Sequence, residues 1–190
     1  MPRRPSRRAA PLARIRLLVL DVDGVMTDGR LYFGPDGEQA KSFCVRDGYG
    51  IKAVLAAGIA VAVISGRNSP AVQRRCEELG IQQLHQGIED KAGQFQQLIR
   101  TLAIPPEQCA CVGDDLPDLP VMALAGLAVA VADAHPSALA AAHRHTRAPG
   151  GAGAVREVCD WLLAARGPPR SSAARPARPD RPDRPARRTL

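Results

Sequence analysis

A chain of 190 residues is long enough for one domain with a real core, and its 45% hydrophobic but only 3% aromatic content calls for a core of Val, Leu, Ile and Ala. The formal charge of +7 invites a nucleic-acid reading, but residues 1–14 hold five Arg and no acid and residues 167–190 hold seven Arg and two Asp, so the segment between them is −3. No run approaches the ~18–20 apolar residues of a membrane span, and the N-terminus lacks the apolar stretch of a secretory signal, so a cytoplasmic protein without a membrane partner is expected.

Both ends are Arg, Pro, Ala and Ser with almost nothing to bury, as in "RPARPDRPDRPARR". Residues 1–14 and 167–190 are therefore expected to be disordered tails around a domain at 15–166, solvated extensions rather than a nucleic-acid arm. Cys44, Cys76, Cys109, Cys111 and Cys159 are an odd, scattered set without zinc spacing, which reads as small core residues of a reducing compartment.

In chain order, "LLVL" at Leu17 to Leu20 predicts a first buried strand, ending in the acidic motif Asp21-Val22-Asp23-Gly24. "RLYF" and "AKSFCV" then flank the turn signal "GPDGE" and predict a β-hairpin between Arg30 and Cys44, too short to be a cap domain. "IAVAVI" at Ile59 to Ile64 is the next strand, followed by a helix over Pro70 to Leu79, a weak strand at "QLH" and a helix over Lys91 to Leu102. "ACV" near Val112 and "LAVAV" at Leu127 to Val131 are further strands, with helices over Leu116 to Ala125, Pro136 to Ala142 and Ala154 to Ala165. Such alternation predicts an α/β fold, a Rossmann-like doubly wound parallel sheet with a hairpin flap.

Ligands of an open α/β sheet collect beyond the carboxyl ends of its strands. There this chain places Asp21 and Asp23, then Ser65-Gly66-Arg67, then Gly113-Asp114-Asp115-Leu116-Pro117-Asp118, with Lys91 opening the helix after the weak strand. A cluster of hard oxygens without His or Cys selects Mg²⁺, for which Asp21, Asp114 and the carbonyl or side chain of Asp23 are the candidate ligands. Ser65, backbone amides and Lys91 offer donors to a phosphate. With a carboxylate facing phosphorus, the economical chemistry is in-line attack by Asp21, an aspartyl phosphate, and its hydrolysis by water, with Asp23 moving the proton.

These residues resemble the four motifs of the haloacid dehalogenase superfamily: "DVDGVMTDG", Ser65, Lys91 and "GDDLPD", in the right order. Over about residues 14–166 the chain is similar to one capless subfamily, the 3-deoxy-D-manno-octulosonate 8-phosphate phosphatases, through "LDVDGVMTDG", "VRDGYGIK", "VGDDLPDLPVM", "VAVADAHP" and "GAVREVCD". The resemblance implies hydrolysis of that sugar phosphate within lipopolysaccharide biosynthesis, with Asp21 as nucleophile, Asp23 as acid and base, and Mg²⁺ on Asp21, Asp23 and Asp114. It also implies substrate contacts at Asp23, Cys44, Val45, Arg46, Asp47, Gly48, Lys52, Arg67, Arg75 and Lys91, and a homotetramer whose hairpins pack at its centre. Many relatives carry Gly-Gly-Arg-Gly-Ala near the carboxy terminus, their Arg reaching a neighbouring active site; here the segment is Gly150-Gly151-Ala152-Gly153-Ala154, so that contact is absent.

Other readings stand beside these. A sister phosphatase for a sialic-acid-type nine-carbon sugar 9-phosphate would share the core, and an idle domain binding nucleic acid through basic tails belongs to another class. A receiver domain also surrounds Mg²⁺ with acids, a hydroxyl and Lys, but its Lys follows the hydroxyl near the chain's end, whereas "GDDLPD" here follows Lys91. Asp115 and Asp118 could bind metal through water, orient Lys91, or cap the next helix. Arg75 could be half of a solvated charge run, and His85, His135, His143 and His145 have no metal spacing and read as structural or exposed.

Overall fold

The protein is described here by a computed structural model, covering residues 8–35 and 37–167. What the sequence leads one to expect of residues 1–7 and 168–190 lies outside the described residues. The unbroken apolar run Leu17–Leu20 forms β1, buried along its whole length, as a strand covered on both faces must be. Around it lie β4 (Ala60–Ile64), β5 (Gln83–His85), β6 (Cys109–Gly113), β7 (Leu127–Ala130) and β8 (Arg144–His145). The six form one sheet in the order β5-β4-β1-β6-β7-β8, every pairing parallel. The chain thus starts at the centre, runs out to one edge and returns to fill the other side, so the winding reverses at β1 and β6.

Helices α1 (Val45–Ala56), α2 (Pro70–Leu79), α3 (Lys91–Leu102), α4 (Leu119–Leu124), α5 (Pro136–Ala141) and α6 (Ala154–Arg166) flank the sheet. Val, Leu, Ile and Ala dominate the core, with Phe95 its one buried aromatic ring. Cys76, Cys109, Cys111 and Cys159 are buried free thiols and Cys44 is half-buried. No helix among the described residues is long and apolar enough to cross a membrane.

The hairpin is present as β2 (Tyr32–Gly34) and β3 (Gly37–Ala40), a two-stranded sheet separate from the main one. Its return arm ends at Ala40, not at Val45, because Val45 opens α1, a helix the sequence does not announce. Gly48 and Gly50 each weaken a helix by about 1 kcal/mol relative to Ala, which hides the pattern. Packing explains both: a Cβ on Gly50 would lie 3.0 Å from Cys159 Cβ on α6, and one on Gly48 2.2 Å from the Arg75 guanidinium. The helix expected over Leu116–Ala125 divides into a 3₁₀ turn, Leu116–Asp118, and α4, each with a proline in its first turn. Order also reaches back before residue 15: Leu12–Arg14 form a 3₁₀ turn with Leu12 against the core, and the Ala10 amide donates to the Gly126 carbonyl.

Helix α6 starts at Gly153 without a capping side chain of its own. Asp47 of α1 supplies the cap from outside, accepting from the Arg156 amide at 2.7 Å and the Gly153 amide at 3.3 Å. Burial pushes the Asp47 carboxyl up, against those two amides. Asp47→Ala leaves two helix-terminal donors without this partner and should lower the unfolding free energy by about 1–3 kcal/mol, read from urea denaturation. Asp47→Asn keeps one acceptor and should lose less.

Candidate active site

The tips of β1 and β6 carry the acids. Asp21, whose amide donates to the Val112 carbonyl, and Asp114, one residue past β6, project beyond the strand ends on either side of the winding reversal. Between β1 and the hairpin the chain turns at Gly24, with φ +86°. A Cβ there would lie 2.0 Å from Asp114 Oδ2, so glycine is required both by the left-handed backbone and by the carboxylate pressed against it.

Lys91, at the start of α3, reaches into this group. Its Nζ donates to Asp21 Oδ1 at 2.6 Å and to Asp118 Oδ1 at 2.8 Å, and all three side chains are buried. Asp118 Oδ2 in turn accepts from the Asp114 amide at 2.9 Å and the Asp115 amide at 3.4 Å. Asp118 therefore orients Lys91 and fixes the β6 loop at once. Asp115 accepts from the Leu116 amide and forms a capping box with Asp118, so it caps the 3₁₀ turn while also lining the cleft.

The carboxylates that converge are Asp21, Asp114 and Asp118, each offering an oxygen within 4.8 Å of the others. Asp23 does not join them with its side chain: its Oδ1 accepts from Lys41 Nζ at 2.5 Å and its Oδ2 lies 3.7 Å from Arg67 Nε. Of the two Asp23 groups the sequence offers as ligands, the side chain is therefore engaged by Lys41 and faces Arg67. Of the three clustered acids, Asp21 and Asp118 share the Lys91 ammonium. Burial lifts the Asp21 carboxyl to about 7, with Asp118 adding to the rise and Lys91 opposing it. Asp114 is lifted to about 8, by burial and then by Asp21, Asp118 and Asp115. Burial works against the charge on Lys91, yet Asp21 and Asp118 outweigh it and hold its pKa above the ordinary range. Carboxylate oxygens that resist ionisation until more positive charge arrives fit a hard divalent cation.

These groups line a cleft of about 380 Å³, with Ser65, Gly66 and Arg67 from the β4 loop on one wall and Leu31 of the hairpin approach beside them. Ser65 is buried, and its Oγ accepts from the Arg67 amide at 3.3 Å. Of the expected substrate contacts, Asp23, Arg67 and Lys91 line the cleft, whereas Cys44, Val45, Arg46, Asp47, Gly48, Lys52 and Arg75 do not. Asp47 is engaged as the α6 cap, and Arg46 donates to the Ala152 carbonyl at 3.1 Å. Arg75 pairs with Glu78 at 2.7 Å and lies over the Phe43 ring, so within one chain its charge is engaged on α2 and at the approach to α1. Val45 and Lys52 stay exposed on α1. Sequence reasoning missed Lys41, which no local pattern marks: it lies in what reads as a strand, and only the tertiary path of the hairpin brings it to Asp23.

The sequence profile of the haloacid dehalogenase-like hydrolases matches residues 84–155. The chain is 55% identical over 158 residues, 83% of its length and 84% of the relative's, to the 3-deoxy-D-manno-octulosonate 8-phosphate phosphatase of Escherichia coli K12. It belongs to the 3-deoxy-D-manno-octulosonate 8-phosphate phosphatase family. The crystal structure of the Yersinia pestis phosphatase of this family is 54% identical and superimposes with a TM-score of 0.81, covering 82% of this chain and 84% of that one. A Moraxella catarrhalis phosphatase of the family, solved with magnesium, phosphate and KDO, is 40% identical with a TM-score of 0.80, over 82% of this chain and 89% of that one. The family's fold without a cap domain is the one seen here, and the tips of β1 and β6 are where this chain gathers its acids.

Two outcomes follow from this geometry. Gly24→Ala would force the Asp114 carboxylate away and should cut phosphatase turnover about 100-fold while circular dichroism stays that of the parent. Asp21 and Asp114 have folded-state pKa values of about 7 and 8, above the ~4 of an unfolded carboxyl, so the stability their protons maintain is complete below pH ~4 and is lost as pH climbs through 7 to 8. The melting temperature of EDTA-treated protein should therefore fall between about pH 4 and 8, and Asp114→Asn should flatten the fall.

Proposed function

We propose that this chain hydrolyses 3-deoxy-D-manno-octulosonate 8-phosphate to the free sugar acid and phosphate, as a Mg²⁺-dependent phosphatase of lipopolysaccharide biosynthesis. The observation that carries this reading is the buried Asp21 at the tip of β1, held by Lys91 beside Asp114 and facing the cleft, in a chain 55% identical to an enzyme of that name. Asp21, Asp114 and the Asp23 carbonyl would hold Mg²⁺, and its positive charge would let both carboxylates ionise next to a phosphate dianion.

Lys91 fixes Asp21 Oδ1 and so orients the second oxygen for attack. That oxygen forms a bond to phosphorus as the bond to the sugar oxygen breaks, and the departing oxygen takes its proton from Asp23. Water then attacks phosphorus and gives its proton to Asp23, the acyl phosphate bond breaks, and Asp21 is regenerated. Ser65 and the Arg67 loop bind the phosphoryl oxygens from the opposite wall, and the Arg67 guanidinium, more than half exposed at the rim, is placed for the substrate carboxylate.

The same reading makes the protein a cytoplasmic homotetramer. Tyr32 and Phe33 are 47% and 68% exposed on a hairpin that pairs with no strand of the main sheet, which supports packing of hairpins from several copies. In such an assembly Cys44 to Gly48, Lys52 and Arg75, absent from the cleft of one chain, would serve the interface or a neighbouring cleft.

Phosphate release from the octulosonate 8-phosphate in Mg²⁺ should stop in EDTA and fall at least about 10³-fold in Asp21→Asn. A nine-carbon 9-phosphate should be the slower substrate in the same assay. Faster release from it would reassign the sugar, and release that survives EDTA would defeat the mechanism.

A further inference from the structure

Asp23 has a partner that the chemistry above does not use. Lys41 follows directly on β3, and its side chain is 0% exposed. Its Nζ lies 2.5 Å from Asp23 Oδ1. A fully buried ammonium is costly unless it is paired with an anion and hydrogen-bonded, and four-carbon stems do not occupy such places by default. The surroundings of Asp23 make the direction of the contact informative. Asp21, Asp114 and Asp118 form a cluster around Lys91 that the Asp23 carboxylate does not join. Its own neighbours are the cations Lys41 and Arg67. Arg67 is exposed, sits at 3.7 Å and is the weaker restraint; Lys41 is closer and locked by burial.

We infer that Lys41 is a positioning residue for the reaction: it holds the Asp23 carboxyl group apart from the acidic cluster and toward the leaving oxygen, so that this side chain serves proton transfer and only the Asp23 carbonyl is left to join Asp21 and Asp114 as a ligand. This rests on the reading of Asp23 as the acid and base of a phosphatase. Lys41 itself touches neither phosphorus nor the leaving group. Its effect is geometric, and it belongs to the step in which the bond between phosphorus and the sugar oxygen breaks and that oxygen takes the Asp23 proton, leaving Asp23 as the carboxylate with which the Lys41 ammonium pairs. Because Lys41 stands at the foot of the hairpin, the same contact ties the placement of the proton donor to the seating of the flap.

A purely structural lysine and a positioning lysine differ in how their loss depends on the leaving group. A sugar alkoxide needs a proton to depart, whereas p-nitrophenolate does not, so the first chemical step on p-nitrophenyl phosphate reads nucleophilic attack without proton donation. In rapid-mixing experiments on the full chain with saturating Mg²⁺, Lys41→Met should slow cleavage of the octulosonate 8-phosphate about 10- to 100-fold. The p-nitrophenolate burst should stay within about twofold of the parent, which is the internal check that the variant is folded and its nucleophile intact. Asp23→Asn should show the same contrast, larger, and the double variant should be no slower than Asp23→Asn alone. Lys41→Arg should recover part of the loss. An equal loss on both substrates, or an additive double variant, would overturn the role of Lys41. If Asp23→Asn shows no leaving-group contrast, the fault lies with the reading of Asp23, and the inference about Lys41 falls with it.

Discussion

One buried ammonium group organises this molecule's chemistry. Lys91 shares its protons between Asp21 and Asp118, and Asp118 passes the restraint on to the amides of Asp114 and Asp115. Asp21 at the tip of β1 and Asp114 at the tip of β6 are thereby fixed relative to each other by a chain of bonds, although they stand on different strands. Remove the lysine and three crowded carboxylates lose both their orientation and their nearest buried neutralising charge, in surroundings where desolvation already opposes ionisation. The parallel sheet matters because it brings the three together: β1 and β6 are adjacent, the 3₁₀ turn carrying Asp118 leaves β6 directly, and α3 enters from the far side with Lys91 as its first residue.

Much of this could be read from the sequence because its signals are local. A continuous apolar run followed by Asp-x-Asp-Gly says buried strand and acidic turn, and the sheet's neighbours announce themselves by the same device at Ile59–Ile64 and near Val112. The helices at Pro70 and Lys91 start where composition says they should, since proline at the first position and an Asp cap at Asp90 act over a few residues. What was not legible depends on tertiary distance. Helix α1 contains glycines at 48 and 50 that only α6 and Arg75 explain, and Asp47 looks like a free carboxylate until α6 is seen to lack a cap of its own.

The site shows the same division. Asp21, Asp114, Ser65 and Lys91 could be assigned because each ends a strand or begins a helix. The side-chain orientation of Asp23 could not, since it is decided by Lys41 and Arg67, eighteen and forty-four positions away. Nor do the neighbours of Arg75 follow from its place in the sequence: within one chain it meets Glu78, Phe43 and the Cys44 carbonyl.

The carboxy-terminal end of α6 has a bearing on how the domain is wired. Arg166 donates to the Ile15 carbonyl, just ahead of β1, and to the Ala57 carbonyl, just ahead of β4, both at 2.7 Å. Residues 15 and 166, separated by nearly the whole described chain, are thus fastened together at the amino ends of the strands, with the length of β1, roughly 13 Å, between them and the cleft. The domain is in effect a closed loop. A short linker could join residues 15 and 166 and the chain be opened elsewhere with little change to the sheet, the junction lying on the pole away from the chemistry.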